Sequence, residues 1–171
     1  PFSIYKIADV GDVPIYNKLD LNKGLDEIET FYQEIVKNKV IPISVGGDHS
    51  ITYPILKALG KEKPLNLIHF DAHCDTDSDY HGEKYYHGAV IRNIIESGSV
   101  NPNKTIQIGI RGSDEIHWDY SYDKKLNIVH IEDFYEKGIS VVAEEIKMIV
   151  GNEPTYLSFD IDCLDPVYAP G

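Results

Sequence analysis

The fold is decided by residues 67–76, Leu67-Ile68-His69-Phe70-Asp71-Ala72-His73-Cys74-Asp75-Thr76, where an apolar run passes directly into acidic and histidine side chains. Short apolar runs are typical of buried strands. Successive side chains of a strand alternate between two faces, so continued strand geometry predicts that Asp71, His73 and Asp75 share one face. Gathering these groups is costly unless a cation neutralises the carboxylates. The stretch therefore predicts a strand that ends in a metal site.

Two further segments repeat this pattern of an apolar run that ends in polar side chains. Residues 156–162 read Tyr156-Leu157-Ser158-Phe159-Asp160-Ile161-Asp162, with two carboxylates after the apolar part. The run Val40–Val45 leads into Gly46-Gly47-Asp48-His49-Ser50. Three strands that each end in candidate ligands predict one shared site.

Strand-like and helix-like segments alternate along the chain. Strands are predicted at Ser3–Ala8, Val40–Val45, Leu65–Phe70, Lys104–Ile110, Asn127–Ile131 and Thr155–Phe159, and helices at Gly24–Lys39, Ile51–Leu59, His87–Ser97 and Ser140–Val150. This alternation predicts an α/β fold, a mostly parallel sheet with helices on both faces. Ligands bind beyond the carboxyl ends of the strands in such folds, which is where the polar clusters fall.

Composition narrows the class of protein. The chain has 171 residues, enough for one domain, and a formal net charge of -12, which argues against nucleic acid as a partner. No apolar run approaches the roughly 20 residues that span a membrane. Without a secretion signal, Cys74 and Cys163 are interpreted as reduced packing residues of a cytoplasmic protein. Because the chain starts at Pro1 and stops in a loop at Gly171, we expect one domain over residues 1–171, truncated at both ends.

The candidate ligands are four carboxylates and two imidazoles: His49, Asp71, His73, Asp75, Asp160 and Asp162. This set is too large and too rich in oxygen for a structural zinc site. It suits two ions about 3.5–4 Å apart that are bridged by carboxylates. Mn²⁺ is favoured, with Co²⁺, Ni²⁺ and Zn²⁺ as alternatives. Water between two such ions loses a proton near neutral pH, so the pattern predicts metal-assisted hydrolysis at an electrophilic carbon or phosphorus.

Three motifs in this order resemble the ureohydrolase family, which includes arginase and agmatinase. They are Gly46-Gly47-Asp48-His49-Ser50, Phe70-Asp71-Ala72-His73-Cys74-Asp75-Thr76, and Ser158-Phe159-Asp160-Ile161-Asp162-Cys163-Leu164-Asp165-Pro166 followed by Ala169-Pro170-Gly171. The resemblance implies a three-layer arginase-like fold with two Mn²⁺ ions per subunit. It also implies a small guanidino substrate, a homo-oligomer, and neither nucleic acid nor membrane as partner.

The resemblance also implies a role for each matching residue. One ion is expected on His49, Asp71, Asp75 and Asp160, and the other on Asp71, His73, Asp160 and Asp162, with Asp71 and Asp160 bridging. His87 resembles the family's loop histidine that passes a proton to the leaving amine, with His81 as a rival. His87 and Asp75 are the expected catalytic residues.

The remaining polar residues near the motifs are expected to have supporting roles. Asp48 is expected to hold His49 or nearby backbone. His69, His117 and His130 are interpreted as structural, and His69 is expected to face away from the ligands. Residues 77–86 lack periodicity and are predicted to form a loop over the site.

The same resemblance implies that a guanidino compound is cleaved to urea and an amine. Acidic residues outnumber basic ones in the loop 77–86, which favours agmatine, with putrescine as product. Lys84 or Arg92 would instead favour the carboxylate tail of guanidinobutyrate or guanidinopropionate. The family's guanidinium-binding glutamate is expected beyond Gly171. A non-catalytic metal-binding homologue or fragment, and a remoter relative of the one-zinc deacetylases, remain the alternatives.

Overall fold

The structure is a computed structural model that describes residue 4, residues 6–112 and residues 118–170. The helices are α1 (Leu21–Lys37), α2 (Thr52–Leu59), α3 (Val90–Glu96), α4 (Asp119–Asp123), α5 (Ile131–Lys137) and α6 (Ile139–Val150). The strands are β1 (Leu65–Phe70), β2 (Val100–Ile110), β3 (Asn127–His130) and β4 (Thr155–Phe159). Short 3₁₀ turns lie at His49–Ile51, His87–Ala89 and Ile161–Cys163. No helix among the described residues is long and apolar enough to cross a membrane.

The four strands form a parallel sheet in the order β3-β2-β1-β4. The apolar run of β1 lies at the centre because strands paired on both sides and covered on both faces bury every side chain. The carboxyl ends of β1 and β4 are level, since Phe70 is in register with Phe159. Asp71 and Asp160, the next residues of the two strands, therefore emerge side by side at one edge of the sheet.

Helices cover both faces of this sheet, as the alternating pattern predicts. On one face Leu67 packs against Leu56 of α2 and Ile91 of α3. On the other face Ile68 lies in a cluster with Val142 of α6 and Phe134 of α5. α1 packs on α2, outside the sheet. The predicted fold class, a mostly parallel α/β sheet between two helical layers, is confirmed.

Two of the predicted strands are wrong for the residues that the structure describes. Residues 40–45 and the described part of 3–8 belong to no strand. Ile43 and Val45 are among the exposed apolar side chains of the first segment. A cavity of about 790 Å³, lined by residues 41–49 and 155–161, separates this segment from β4. An extended segment without a neighbouring strand makes no ladder of hydrogen bonds, so the apolar pattern alone does not produce a strand.

Candidate metal centre

The first part of the centre is the ring of His49, which faces three carboxylates. Its Nδ1 lies 2.7 Å from Oδ2 of Asp75, 3.2 Å from Oδ2 of Asp71 and 3.6 Å from Oδ2 of Asp160. The other ring nitrogen, Nε2, is 2.8 Å from Oγ of Ser158 on β4. One imidazole nitrogen and three carboxylate oxygens thus converge on a small volume, which is the arrangement a divalent cation requires.

The second part shares Asp71 with the first. His73 Nδ1 lies 3.0 Å from Oδ2 of Asp162 and 3.6 Å from Oδ1 of Asp71. Potential ligand atoms of Asp71, His73 and Asp162 all lie within 4.8 Å of one another. The structure therefore brings all six predicted ligands together, around two imidazoles that are linked by one carboxylate.

The expectation that strand geometry continues through Asp75 is wrong, although the side chains still converge. β1 ends at Phe70 and the following residues form a loop. The backbone N–H of His73 donates to Oδ1 of Asp71 over 2.7 Å, which closes a turn just after the strand. Asp75 has a φ of +52°, the left-handed conformation that reverses the chain direction. The loop, not alternation along a strand, aims His73 and Asp75 at the centre.

The pKa values of the imidazoles and of the carboxylates at the centre depend on one another. Burial disfavours the cationic form of His49, but hydrogen bonds to Asp71 and Asp75 outweigh that cost and raise its pKa to about 10. A hydrogen bond to Asp71 likewise raises the pKa of His73 to about 9. Burial also raises the pKa of Asp75, whose Oδ2 lies 2.7 Å from Nδ1 of His49. Burial would raise the pKa of Asp71 too, but hydrogen bonds from the surrounding imidazoles hold it well below its usual range.

The loop 77–86 contributes only part of its length to the centre. A cavity of about 500 Å³ is lined by the six candidate ligands and also by Asp77, Tyr86 and His87. The Tyr86 hydroxyl donates to Asp77, which joins the two ends of the loop. His81 lies outside this lining and makes an edge-to-face contact with the ring of Tyr80. Of the two predicted loop histidines, the structure therefore brings only His87 to the centre.

The basic residues considered for binding a substrate tail are engaged elsewhere. Lys84 Nζ lies 3.2 Å from a carboxylate oxygen of Glu96. The Arg92 guanidinium lies 4.2 Å from the ring centre of Tyr120, and its Nε donates to the Thr76 carbonyl over 2.7 Å. Neither side chain lines the cavity at the candidate ligands.

The expectation that His69 faces away from the ligands is wrong. Its Nε2 lies 2.8 Å from Oδ2 of Asp71, and its ring is fully buried. The reason is the period of a strand, because residues two apart point to the same face, and His69 is two residues before Asp71.

The other supporting residues are held by local contacts. Asp48 accepts hydrogen bonds from the backbone N–H and the hydroxyl of Ser50, so it binds nearby backbone as predicted. The ring of His130 lies 4.7 Å from that of Trp118, between ring centres, and its Nε2 is 2.8 Å from the Tyr122 hydroxyl. The prediction for His117 falls outside the described residues.

Two residues that support the centre are not indicated by the sequence motifs. The Arg111 guanidinium donates to the carbonyls of Asp162 (2.6 Å), Cys163 (3.2 Å) and Leu164 (2.9 Å), and so ties the turn that carries Asp162 to the end of β2. A Cβ atom on Gly112 would lie 2.3 Å from Cδ2 of His73, so that ring needs a glycine there. Both contacts are non-local, and no motif spacing indicates them.

Fold and site together define a parallel α/β protein with an acidic, histidine-containing centre at the carboxyl edge of its sheet. The chain belongs to the arginase family, whose model matches residues 1–171.

Comparisons with individual proteins agree with this assignment. The chain is 44% identical to a guanidinopropionase of Pseudomonas aeruginosa, over 100% of this chain and 54% of that protein. It is 42% identical to a mitochondrial agmatinase of Gallus gallus, over 100% of this chain and 51% of that protein. The structure of proclavaminate amidino hydrolase from Streptomyces clavuligerus superposes with a TM-score of 0.90 at 32% identity, covering 99% of this chain and 57% of that one. The chain thus spans about half the length of the curated relatives it matches.

Proposed function

We propose that the protein is a binuclear-metal hydrolase that cleaves a guanidino compound to urea and an amine. The proposal rests on the carboxylate of Asp71, which the two parts of the centre share. Asp71 contacts His49 in the first part and His73 in the second, where Asp162 also lies. Two neighbouring cation sites with one common ligand are the arrangement that hydrolytic metal pairs use. Membership of the arginase family supports the same chemistry.

The donor set fits two Mn²⁺ ions. His49, Asp71, Asp75 and Asp160 would hold one ion, and Asp71, His73, Asp160 and Asp162 the other. Carboxylate oxygen with some imidazole is the donor set that Mn²⁺ accepts readily. When bound, a pair of divalent ions supplies acidified water as a nucleophile near neutral pH.

The chain's own residues orient this centre and handle the proton of the leaving group. Ser158 holds Nε2 of His49, which leaves Nδ1 directed at the carboxylates. Arg111 holds the turn of Asp162 through backbone carbonyls. His87 lines the same cavity, and we propose that it delivers a proton to the departing amine nitrogen.

Among guanidino compounds, the cavity favours one with a cationic tail. No Lys or Arg lines this cavity among the described residues, whereas Asp77 lies at its rim beside the six candidate ligands. Two divalent ions offset the charge of the four ligand carboxylates, and Asp77 remains as an additional carboxylate. We therefore propose agmatine as substrate and putrescine as product.

A guanidino acid is the second candidate substrate. The observation in its favour is the 44% identity to a protein named guanidinopropionase. A carboxylate tail would need a cation at the rim, and Lys84 and Arg92 would have to leave Glu96 and Tyr120 to supply it.

The test is urea release by the Mn²⁺-loaded protein from agmatine, guanidinobutyrate, guanidinopropionate and arginine, compared as ratios of kcat/KM. The proposal expects the highest ratio for agmatine. A higher ratio for a guanidino acid would overturn the substrate and keep the reaction. No urea from any of these compounds, with metal bound, would overturn the reaction itself.

The cellular setting of this reaction is also a proposal. We propose a homo-oligomer in the cytoplasm, on the basis of the sequence resemblance. The agmatinase relative of Gallus gallus is described as mitochondrial, so fractionation of cells that express the protein decides the location.

A further inference from the structure

Three neighbouring strands place polar side chains at one level beneath the candidate centre. His69 of β1 is in register with Gln107 of β2 on one side and with Ser158 of β4 on the other. The first two are fully buried and Ser158 is 6% exposed. Buried polar side chains in a sheet cost free energy unless their hydrogen bonds are made. The hydrogen bonds of these buried side chains therefore indicate their role.

The orientation of the Gln107 amide follows from its partners. One amide atom lies 2.8 Å from the backbone carbonyl of Cys74, which can only accept a hydrogen bond, so this atom is the NH₂ group. The amide oxygen, on the other side, accepts from the Ser121 hydroxyl over 2.7 Å.

This orientation fixes the tautomer of His69. The Gln107 NH₂ group also lies 3.1 Å from Nδ1 of His69, and an NH₂ group can only donate. Nδ1 is therefore the acceptor, and the ring carries its proton on Nε2. That N–H donates to Oδ2 of Asp71 over 2.8 Å.

Asp71 is thus held at both of its oxygens. Oδ2 accepts from His69, and Oδ1 accepts from the backbone N–H of His73 over 2.7 Å. A carboxylate oxygen has two lone pairs. Oδ2 also lies 3.2 Å from Nδ1 of His49, so once His49 binds a cation, each oxygen of Asp71 has a second lone pair for a cation. The arrangement suits a carboxylate that bridges two ions. By position His69 could hold an ion together with His49 and Asp71. In this tautomer, however, Nε2 carries the proton and the lone pair of Nδ1 accepts from Gln107, so neither nitrogen offers a lone pair to a cation.

We propose that His69 is a positioning residue for the bridging carboxylate Asp71, and that Gln107 sets the tautomer through which His69 acts. This inference rests on the proposed metal centre, and it adds a chain of contacts that runs Ser121–Gln107–His69–Asp71. Partners of metal ligands that orient them typically contribute 10–100-fold to metal affinity.

The first experiment measures Mn²⁺ binding to the metal-free protein by calorimetry, for the unaltered chain and for His69→Leu and His69→Gln. We expect His69→Leu to weaken binding by about 10–100-fold. His69→Gln keeps an N–H donor near Oδ2 of Asp71 and should recover part of the loss. Thr105→Val is the matched control, since Thr105 is fully buried on the same face of β2, two residues before Gln107. Its affinity should equal that of the unaltered chain.

The second experiment reads the tautomer directly, by long-range ¹H–¹⁵N NMR of the histidine rings in the metal-free protein. The proton of His69 should be on Nε2. In Gln107→Glu, which has nearly the same shape but no NH₂ group, a proton should appear on Nδ1, and Mn²⁺ affinity should fall.

Each outcome decides one of the claims. Unchanged Mn²⁺ affinity in folded His69→Leu and Gln107→Glu, or a proton on Nδ1 in the unaltered chain, would overturn the positioning role and leave the proposed function intact. No Mn²⁺ binding by the unaltered chain would overturn the proposed function, and the positioning role with it.

Discussion

At Gly112 the chain passes so close to the ring of His73 that no side chain fits between them. A methyl group there would lie 2.3 Å from Cδ2 and 2.4 Å from Nε2 of this ring. We expect Gly112→Ala to displace His73 and to weaken Mn²⁺ binding by about tenfold or more, as loss of an orienting contact does. Calorimetric titration with Mn²⁺ measures the effect.

Gly24→Ala is the control for this substitution. Gly24 lies within α1, where a Cβ would be 3.6 Å from the nearest side chain, an ordinary contact. Alanine in a helix interior should raise the free energy of unfolding by about 0.5–1 kcal/mol and leave metal affinity unchanged. Equal metal affinities for the two variants would contradict the role of Gly112.

His87 is the residue to which proton delivery is assigned. His87→Ala should lower turnover by roughly 10²–10⁴-fold, the usual contribution of general acid–base catalysis, because the leaving amine loses its proton donor. Mn²⁺ content should stay the same, since His87 is not among the proposed ligands. Steady-state urea release and metal analysis of one preparation measure both quantities.

His81→Ala separates the two loop histidines. His81 lies outside the cavity, with its ring edge-to-face with that of Tyr80, so its removal should leave turnover close to that of the unaltered protein. A large loss in His81→Ala together with normal turnover in His87→Ala would reverse the assignment.

Between elements, Arg111 joins the end of β2 to the turn that follows β4. Arg111→Met removes hydrogen bonds to four backbone carbonyls, three of them at 162–164, and should lower the free energy of unfolding by about 1–3 kcal/mol, because bonds to a charged donor are the stronger ones. The turn Ile161–Cys163 carries Asp162, so binding of the ion proposed at Asp162 should weaken as well. Urea unfolding and Mn²⁺ titration measure the two effects.

Arg92→Met is the matched control, since Arg92 contacts Tyr120 and Thr76 and no carbonyl of the 161–164 turn. It should lose stability without a change in metal affinity. Normal Mn²⁺ binding by Arg111→Met would show that the turn keeps its shape without the guanidinium.

The sequence predicts best those elements that have a clear apolar pattern. Leu65–Phe70 and Thr155–Phe159 are strands with the predicted bounds, and Ser140–Val150 differs from α6 by one residue. The helices α4 and α5 were not predicted, because α4 is five residues long and α5 buries none of its residues, so neither leaves an apolar period. The apolar pattern of Val40–Val45 predicts a strand, but it carries no information on whether a neighbouring strand is present to pair with it.

For the centre, the sequence predicts residue types but not their supports. The six candidate ligands follow predicted strand ends, and the turn after β1 with the left-handed Asp75 completes their convergence. Gly112, Arg111 and Gln107 act through contacts with residues that are 33 to 51 positions away in the chain. Such pairings depend on register and loop shape, which a single sequence does not contain.

For the whole molecule, the imidazoles of the centre predict how stability depends on pH without metal. The pKa values of His49 and His73 are raised to about 10 and about 9 in the folded protein. Because the folded state holds these protons more tightly than the unfolded state, their stabilisation is complete below about pH 6.5. It is lost as pH rises through 9 and 10.

The free energy of unfolding in the presence of EDTA should therefore fall between pH 7 and pH 10. Urea unfolding at intervals of pH measures it, and His49→Gln should flatten the decline. With Mn²⁺ the trend should reverse in the lower part of this range, since ligand imidazoles must lose protons before they bind a cation. A flat or rising profile in EDTA would contradict the raised pKa values of His49 and His73 in the folded protein.

The central claim is that one carboxylate pair links two metal ions. The direct measurement is the number of Mn²⁺ ions per chain, by elemental analysis after dialysis, for the unaltered protein and four Asp→Asn variants. We predict two ions per chain, loss of both in Asp71→Asn and Asp160→Asn, and retention of about one in Asp75→Asn and Asp162→Asn, because only the first two are proposed to bridge. One ion in the unaltered protein, or the same single loss in all four variants, would contradict the account.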